Sequence, residues 1–178
     1  MRDLTKLPSA FDPAAKTCRA IVETPEGSRS KYDFDPGSGL FRLHGLLPEG
    51  MTFPLDFGFI PSTLAGDSHP VDVMVFTDEP SPVGALVDVR IVGVIAAEQD
   101  GSGGRIRNDC IIAVAQVSQL YQAVQTRDDL GKAYVEGLTR LWTTKGEIEA
   151  KGFRVLGVHG PDEAVDLVRQ AGEAASKA

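Results

Sequence analysis

Up to about residue 116, apolar and polar positions alternate in short runs, and the alternation predicts strands. Residues 17–23 (TCRAIVE) predict the first, and residues 24–30 (TPEGSRS) a turn-rich link. Residues 31–35 and 39–43 flank the turn DPGSG and predict a hairpin. Residues 53–60 (FPLDFGFI) are extended and aromatic, and Pro54 opposes helix. A polar loop at 65–70 runs into an apolar strand at 71–76. Residues 86–97 are long and β-branched, with DGSGG as a tight turn and 106–114 as the returning strand. Beyond residue 116 the period changes. Residues 126–130 (TRDDL) suit a helix start, and Tyr134, Leu138, Leu141 and Trp142 fall at helical spacing, with Trp142 expected in the core. Residues 153–158 predict one more strand, and Pro161 opens a final helix. Many strands followed by two helices is an α+β pattern, and strands this short close most readily into a small barrel. The 178 residues suit a single domain, with 1–16 as an irregular lead-in.

Composition narrows the partners. A net charge of −7 opposes nucleic acid or an anionic membrane as a binding surface. An anionic substrate therefore needs a local cationic pocket or metal ions. The two cysteines, Cys18 and Cys110, lack metal-ligand spacing and read as buried, reduced thiols. Residues 1–10 have no apolar signal core and no run is long enough to span a membrane, so a cytoplasmic location is expected. His44 and His159 have no visible partner in the sequence.

The candidate chemistry is concentrated in residues 51–75 (MTFPLDFGFIPSTLAGDSHPVDVMV). Asp67 and Asp72 lie five residues apart around a proline-stiffened turn. That spacing can aim both carboxylates at one hard cation, and it also suits a solvated loop in which aspartate starts a turn.

Residues 51–75 resemble the signature region of the soluble family I inorganic pyrophosphatases, Asp-Gly-Asp-Pro-hydrophobic-Asp. Residues 22–33 (VETPEGSRSKYD) resemble that family's Glu-x-Pro…Lys-Tyr-Glu element. Residues 93–114 resemble its hairpin and Ile-Ile-Ala-Val strand, and residues 153–164 its closing strand and helix. The resemblance implies a closed, OB-like five-stranded barrel with peripheral strands and two C-terminal helices. It implies hydrolysis of pyrophosphate or a related phosphoanhydride with several Mg ions, in a homo-oligomer. Acidic side chains hold the metals, and Lys, Arg and Tyr grip the phosphates.

Transferred position by position, the resemblance makes Glu23, Asp33, Asp67, Asp72 and Asn108 the metal positions, with Asn108 replacing a metal-bridging aspartate. Lys31, Phe57 and Lys145 take the substrate positions, Phe57 in place of a tyrosine. His69 takes the place of the carboxylate that contacts the nucleophilic water, and stands as general base or ligand. Gln99 replaces another metal-binding aspartate, Gly45 an arginine, and Cys110 a lysine. Asp100 and Asp109 each neighbour a depleted position, but a one-residue slip in a strand turns a side chain to the other face. An imidazole among the ligands favours Mn, Co or Zn over Mg. Two readings result: an attenuated or altered metal-dependent hydrolase, or an inactive protein that binds a phosphate ligand through Lys31 and Arg29, or scaffolds, on the same barrel.

Overall fold

The computed structural model describes residues 3–148 and 152–178; the side chains of residues 145–148 lie outside the description. The strands are β1 (Thr17–Thr24), β2 (Ser30–Asp35), β3 (Leu40–Leu46), β4 (Asp56–Ile60), β5 (Val71–Phe76), β6 (Leu86–Gly101), β7 (Gly104–Arg107), β8 (Cys110–Ala115) and β9 (Arg154–His159). The helices are α1 (Lys132–Ile148) and α2 (Pro161–Ala175). β1 pairs antiparallel with β4 and β4 with β5; β5 pairs parallel with β8, and β8 antiparallel with β6. β6 then returns to β1, which closes a five-stranded barrel. This is the α+β barrel expected from the sequence. The far half of β6 carries β7 and β9, and β2–β3 form a separate hairpin.

Strand alternation divides the core. Ala20, Ile60, Val73, Ile91 and Ala113 belong to a cluster to which all five barrel strands contribute, and α2 adds Ala164, Val168 and Ala171. The alternate positions Phe57, Met74, Val92 and Ile112 pack with Phe53, Leu138 and Trp142 under α1. Each such side chain contributes about 1.5–3 kcal/mol on burial. β1 and β4 approach so closely that a Cβ at Gly58 would overlap the Ile21 carbonyl oxygen.

Several elements differ from expectation for identifiable reasons. The strand expected at 106–114 is broken at Asn108 and Asp109, because Asp109 turns its carboxylate back to the Ala97 N–H at 3.0 Å. α1 starts only after Gly131, whose φ of 81° separates it from a 3-10 turn at Arg127–Leu130. The lead-in holds a 3-10 turn at Leu4–Lys6 and is tied to the molecule: Leu4 and Leu7 pack on Ile21, Phe34 and Phe59.

Cys18 and Cys110 are both buried and neither is in a disulfide. Burial pushes the Cys18 thiol up to about 12, so its thiolate is scarce at neutral pH. Iodoacetamide at pH 7.5 is expected to leave Cys18 unmodified until denaturant is added, as read by mass spectrometry. Rapid labelling of the native protein would mean that the barrel opens readily. No described helix is long and apolar enough to cross a membrane.

Candidate functional site

Glu23 owes its position to an irregularity in β1. Val22 pairs with Gly58 and Thr24 with Phe57, leaving Glu23 as the extra residue of a bulge. A bulge re-aims the side chain it carries. Here Glu23 Oε1 accepts the Phe34 N–H at 2.7 Å and ties the β2–β3 hairpin to the barrel. Burial above all raises the Glu23 carboxyl to about 8; the Phe34 N–H opposes the rise, Asp72 and Asp33 add to it, and Lys31 pulls it back. Asp33, Lys31 and Asp72 therefore all lie within electrostatic reach of Glu23.

Asp33 has a cation-forming side chain on each oxygen. Lys31 Nζ lies 3.1 Å from Oδ1, and His44 Nδ1 lies 2.7 Å from Oδ2. The second contact, invisible in the sequence, corrects the reading of His44 as partnerless. Its cause is another bulge: β2 pairs Lys31 with Gly45 and Tyr32 with Leu43, so His44 is the extra residue of β3. His159 also has a neighbour, its Nδ1 lying 3.8 Å from Glu163 Oε1 one helical turn into α2.

The acidic loop reaches the same region from the other side. Asp72 on β5 stands opposite Phe59 of β4 and Cys110 of β8. Asp67 accepts the His69 N–H at 3.1 Å, and the Ala65 N–H closes the loop on the His69 carbonyl at 2.7 Å. A Cβ at Gly66 would come within 2.9 Å of the Arg107 carbonyl oxygen, so glycine lets the loop press on the β7–β8 connection. His69 Nδ1 lies 3.0 Å from the Asp67 carbonyl oxygen. The adjacent Asp67 side chain raises the His69 pKa against the opposing effect of burial, and Asp72 adds to the rise. Asp67, His69 and Asp72 are thereby linked, and through Asp72 to Glu23, Asp33 and Lys31.

The β6–β8 region is different in character. Asn108 Nδ2 donates to Gln99 Oε1 at 2.7 Å, and both residues are buried. Two positions at which the resemblance implies metal-binding aspartates thus hold a neutral pair bonded to itself. Neither flanking aspartate takes their place. Asp109 accepts from Arg107 Nη2 at 2.6 Å and lines, with Val71 and Ala171, a cleft of ≈ 410 Å³ on the α2 side. Asp72, one residue on from Val71, points away from that cleft. Asp100 pairs with Arg105 at 3.4 Å on the exposed hairpin end and lies against Gly152. Phe57 is buried between the rings of Phe53 and Trp142, with centroids at 5.6 and 5.8 Å. The Lys145 side chain lies outside the described residues.

A family model described as inorganic pyrophosphatase matches residues 20–176. The chain belongs to the inorganic pyrophosphatase family. An inorganic pyrophosphatase of Thermus thermophilus is 34% identical over 160 residues, 90% of this chain and 89% of that one. One from Methanosarcina acetivorans is 31% identical over 151 residues, 85% of this chain and 88% of that one. A crystal structure of the Thermus thermophilus enzyme superposes with a TM-score of 0.86 at 29% identity, covering 98% of this chain and 99% of that chain.

Membership of the pyrophosphatase family implies a divalent cation, and the donors present suit it unevenly. Among the described residues, no three His, Cys, Asp or Glu side chains gather into a group able to hold a metal ion. Mg ordinarily takes one or two protein carboxylates and completes its shell with water and substrate phosphates. Asp67 and Asp72 suit that arrangement. The Gln99–Asn108 pair does not: it is uncharged, and each amide spends its best-placed group on the other. Asp33, with both oxygens engaged, organises its neighbours before it can serve a metal.

Proposed function

We propose that this pyrophosphatase-family chain binds inorganic pyrophosphate at the Glu23–Lys31–Asp67–Asp72 cluster and hydrolyses it slowly, with fewer metal ions than a site with aspartates at positions 99 and 108. The observation that carries the reading is the buried hydrogen bond between Asn108 and Gln99. Phosphoryl transfer depends mainly on neutralising and positioning charge, so two missing carboxylates remove metal rather than fold. A bound divalent cation supplies charge neutralisation of the phosphates, with Asp67 and Asp72 as its protein donors. Lys31, only 15% exposed, binds phosphate oxygen as a point charge, and Lys145 on α1 is assigned the same role. Phe57, buried against Phe53 and Trp142, offers no hydroxyl where the resemblance places a phosphate-contacting tyrosine. His69 carries its Nδ1 hydrogen toward the Asp67 carbonyl, which leaves Nε2 of the neutral ring to accept a proton from water. The cytoplasmic location expected from the sequence and the homo-oligomeric state implied by the resemblance belong to the same reading.

Phosphate release from pyrophosphate with Mg, Mn, Co and Zn in turn tests it. Turnover above the metal blank is expected with at least one ion, and Asp72→Asn should lower it by roughly 10²-fold or more. No turnover with any ion would overturn the hydrolase reading. Pyrophosphate binding without turnover would instead select the inactive phosphate-binding protein, which the same amide pair favours.

A further inference from the structure

Gly45 leaves this phosphate site without the arginine that the resemblance places there, and the local geometry offers a replacement. A Cβ at Gly45 would meet nothing within 4 Å, so no crowding keeps a side chain out; the position simply has none. Gly45 is the register partner of Lys31, so the open space lies beside the lysine. The next residue back, His44, is the extra residue of the β3 bulge, and the bulge turns it onto the face of β2 that carries Lys31 and Asp33. Its ring is held there by one specific contact, 2.7 Å from Nδ1 to Asp33 Oδ2, although the side chain is 60% exposed. The carboxylate can only accept, so the Nδ1 hydrogen is directed at Asp33 and the opposite edge of the ring is turned outward, where Nε2–H of the imidazolium form donates to an anionic oxygen. Asp33 thereby presents two nitrogen groups side by side, Lys31 from one oxygen and His44 from the other.

We propose that His44 is a second phosphate-binding side chain of this site, standing in for the side chain absent at Gly45, with Asp33 as the positioning residue for both His44 and Lys31. The ligand class is a pyrophosphate or another compact diphosphate lying over Lys31. This rests on the site being a pyrophosphate site, as proposed above, and it assigns a role to a residue without a visible partner in the sequence.

Binding, rather than turnover, separates the two claims. Methylenediphosphonate, an unhydrolysable diphosphate, is titrated calorimetrically into wild type, Lys31→Ala, His44→Ala and His44→Arg, each checked for an unchanged melting temperature. Lys31→Ala and His44→Ala are each expected to weaken binding about tenfold or more, as for loss of a hydrogen bond to a charged group. His44→Arg should return it to within about threefold of wild type. In the wild type, the His44 ring resonances should shift on titration while those of His159 do not. Unchanged affinity in His44→Ala with loss in Lys31→Ala would overturn the role of His44 and leave the site standing. Equal weakening in His44→Ala and His44→Arg, or a silent His44 resonance, would also overturn it by reducing the residue to support. Absence of binding by the wild type would overturn the pyrophosphate site itself, and His44 with it.

Discussion

Replacing Gln99 and Asn108 together by aspartate is expected to raise Mg-dependent pyrophosphate hydrolysis by about 10²-fold or more. The two side chains already face each other. Aspartate at 108 keeps the reach of asparagine, and aspartate at 99, one methylene shorter than glutamine, leaves a gap between the two carboxylates in which a cation can sit. Two facing buried carboxylates repel, and the hydrogen bond they replace is lost. The metal-free variant should therefore be less stable than wild type by about 1–3 kcal/mol. A divalent cation between them removes the repulsion. Melting temperature should thus rise with Mg in the double variant much more than in wild type, alongside the gain in rate. Each single variant should gain little, because one carboxylate beside one amide makes half a site. A double variant whose stability and turnover ignore Mg would show that these positions do not face the metal-binding region.

Glu23 should make the metal-free protein lose stability as pH rises. Its folded-state pKa is about 8 against the ordinary glutamate value of 4.5, principally through burial. Between those values the folded state holds a proton that the unfolded chain has released. The stabilisation is complete below about pH 4.5 and is lost as pH rises through 8. The full interval corresponds to a few kcal/mol, of the order of 3 once relaxation is allowed for. Glu23→Gln keeps an oxygen for the Phe34 N–H and cannot ionise. In chelator, urea midpoints measured from pH 5 to pH 9 should fall for wild type and stay nearly level for Glu23→Gln. Parallel curves for the two proteins would exclude Glu23 as the source.

The barrel was legible because its strands obey a period of two, and the terminal helix because proline opens it and apolar residues recur on one side. Motifs in the right order pointed to Glu23, Lys31, Asp67 and Asp72; in the fold Asp72 and Lys31 act on the Glu23 carboxyl, and Asp67 and Asp72 on His69. Bulges were not legible. Nothing in VETPE marks Glu23 as an extra residue, and nothing in LHG marks His44 as one; each slip depends on the partner strand. The only available signal for His44 was its adjacency to Gly45, a depleted phosphate position. The fate of Asp109 was likewise hidden: it lies in the break between β7 and β8, where its carboxylate turns back to the Ala97 N–H and to Arg107. Gln99 and Asn108 could be read as losses one at a time, but their mutual hydrogen bond needed β6 and β8 folded together.

Crystals soaked with Mn and methylenediphosphonate, located by anomalous scattering, test the reduced metal complement most directly. Manganese is expected on the Asp67–Asp72 carboxylates, with the Asn108 amide still donating to Gln99. An ion coordinated by Gln99 and Asn108, their hydrogen bond broken, would contradict it.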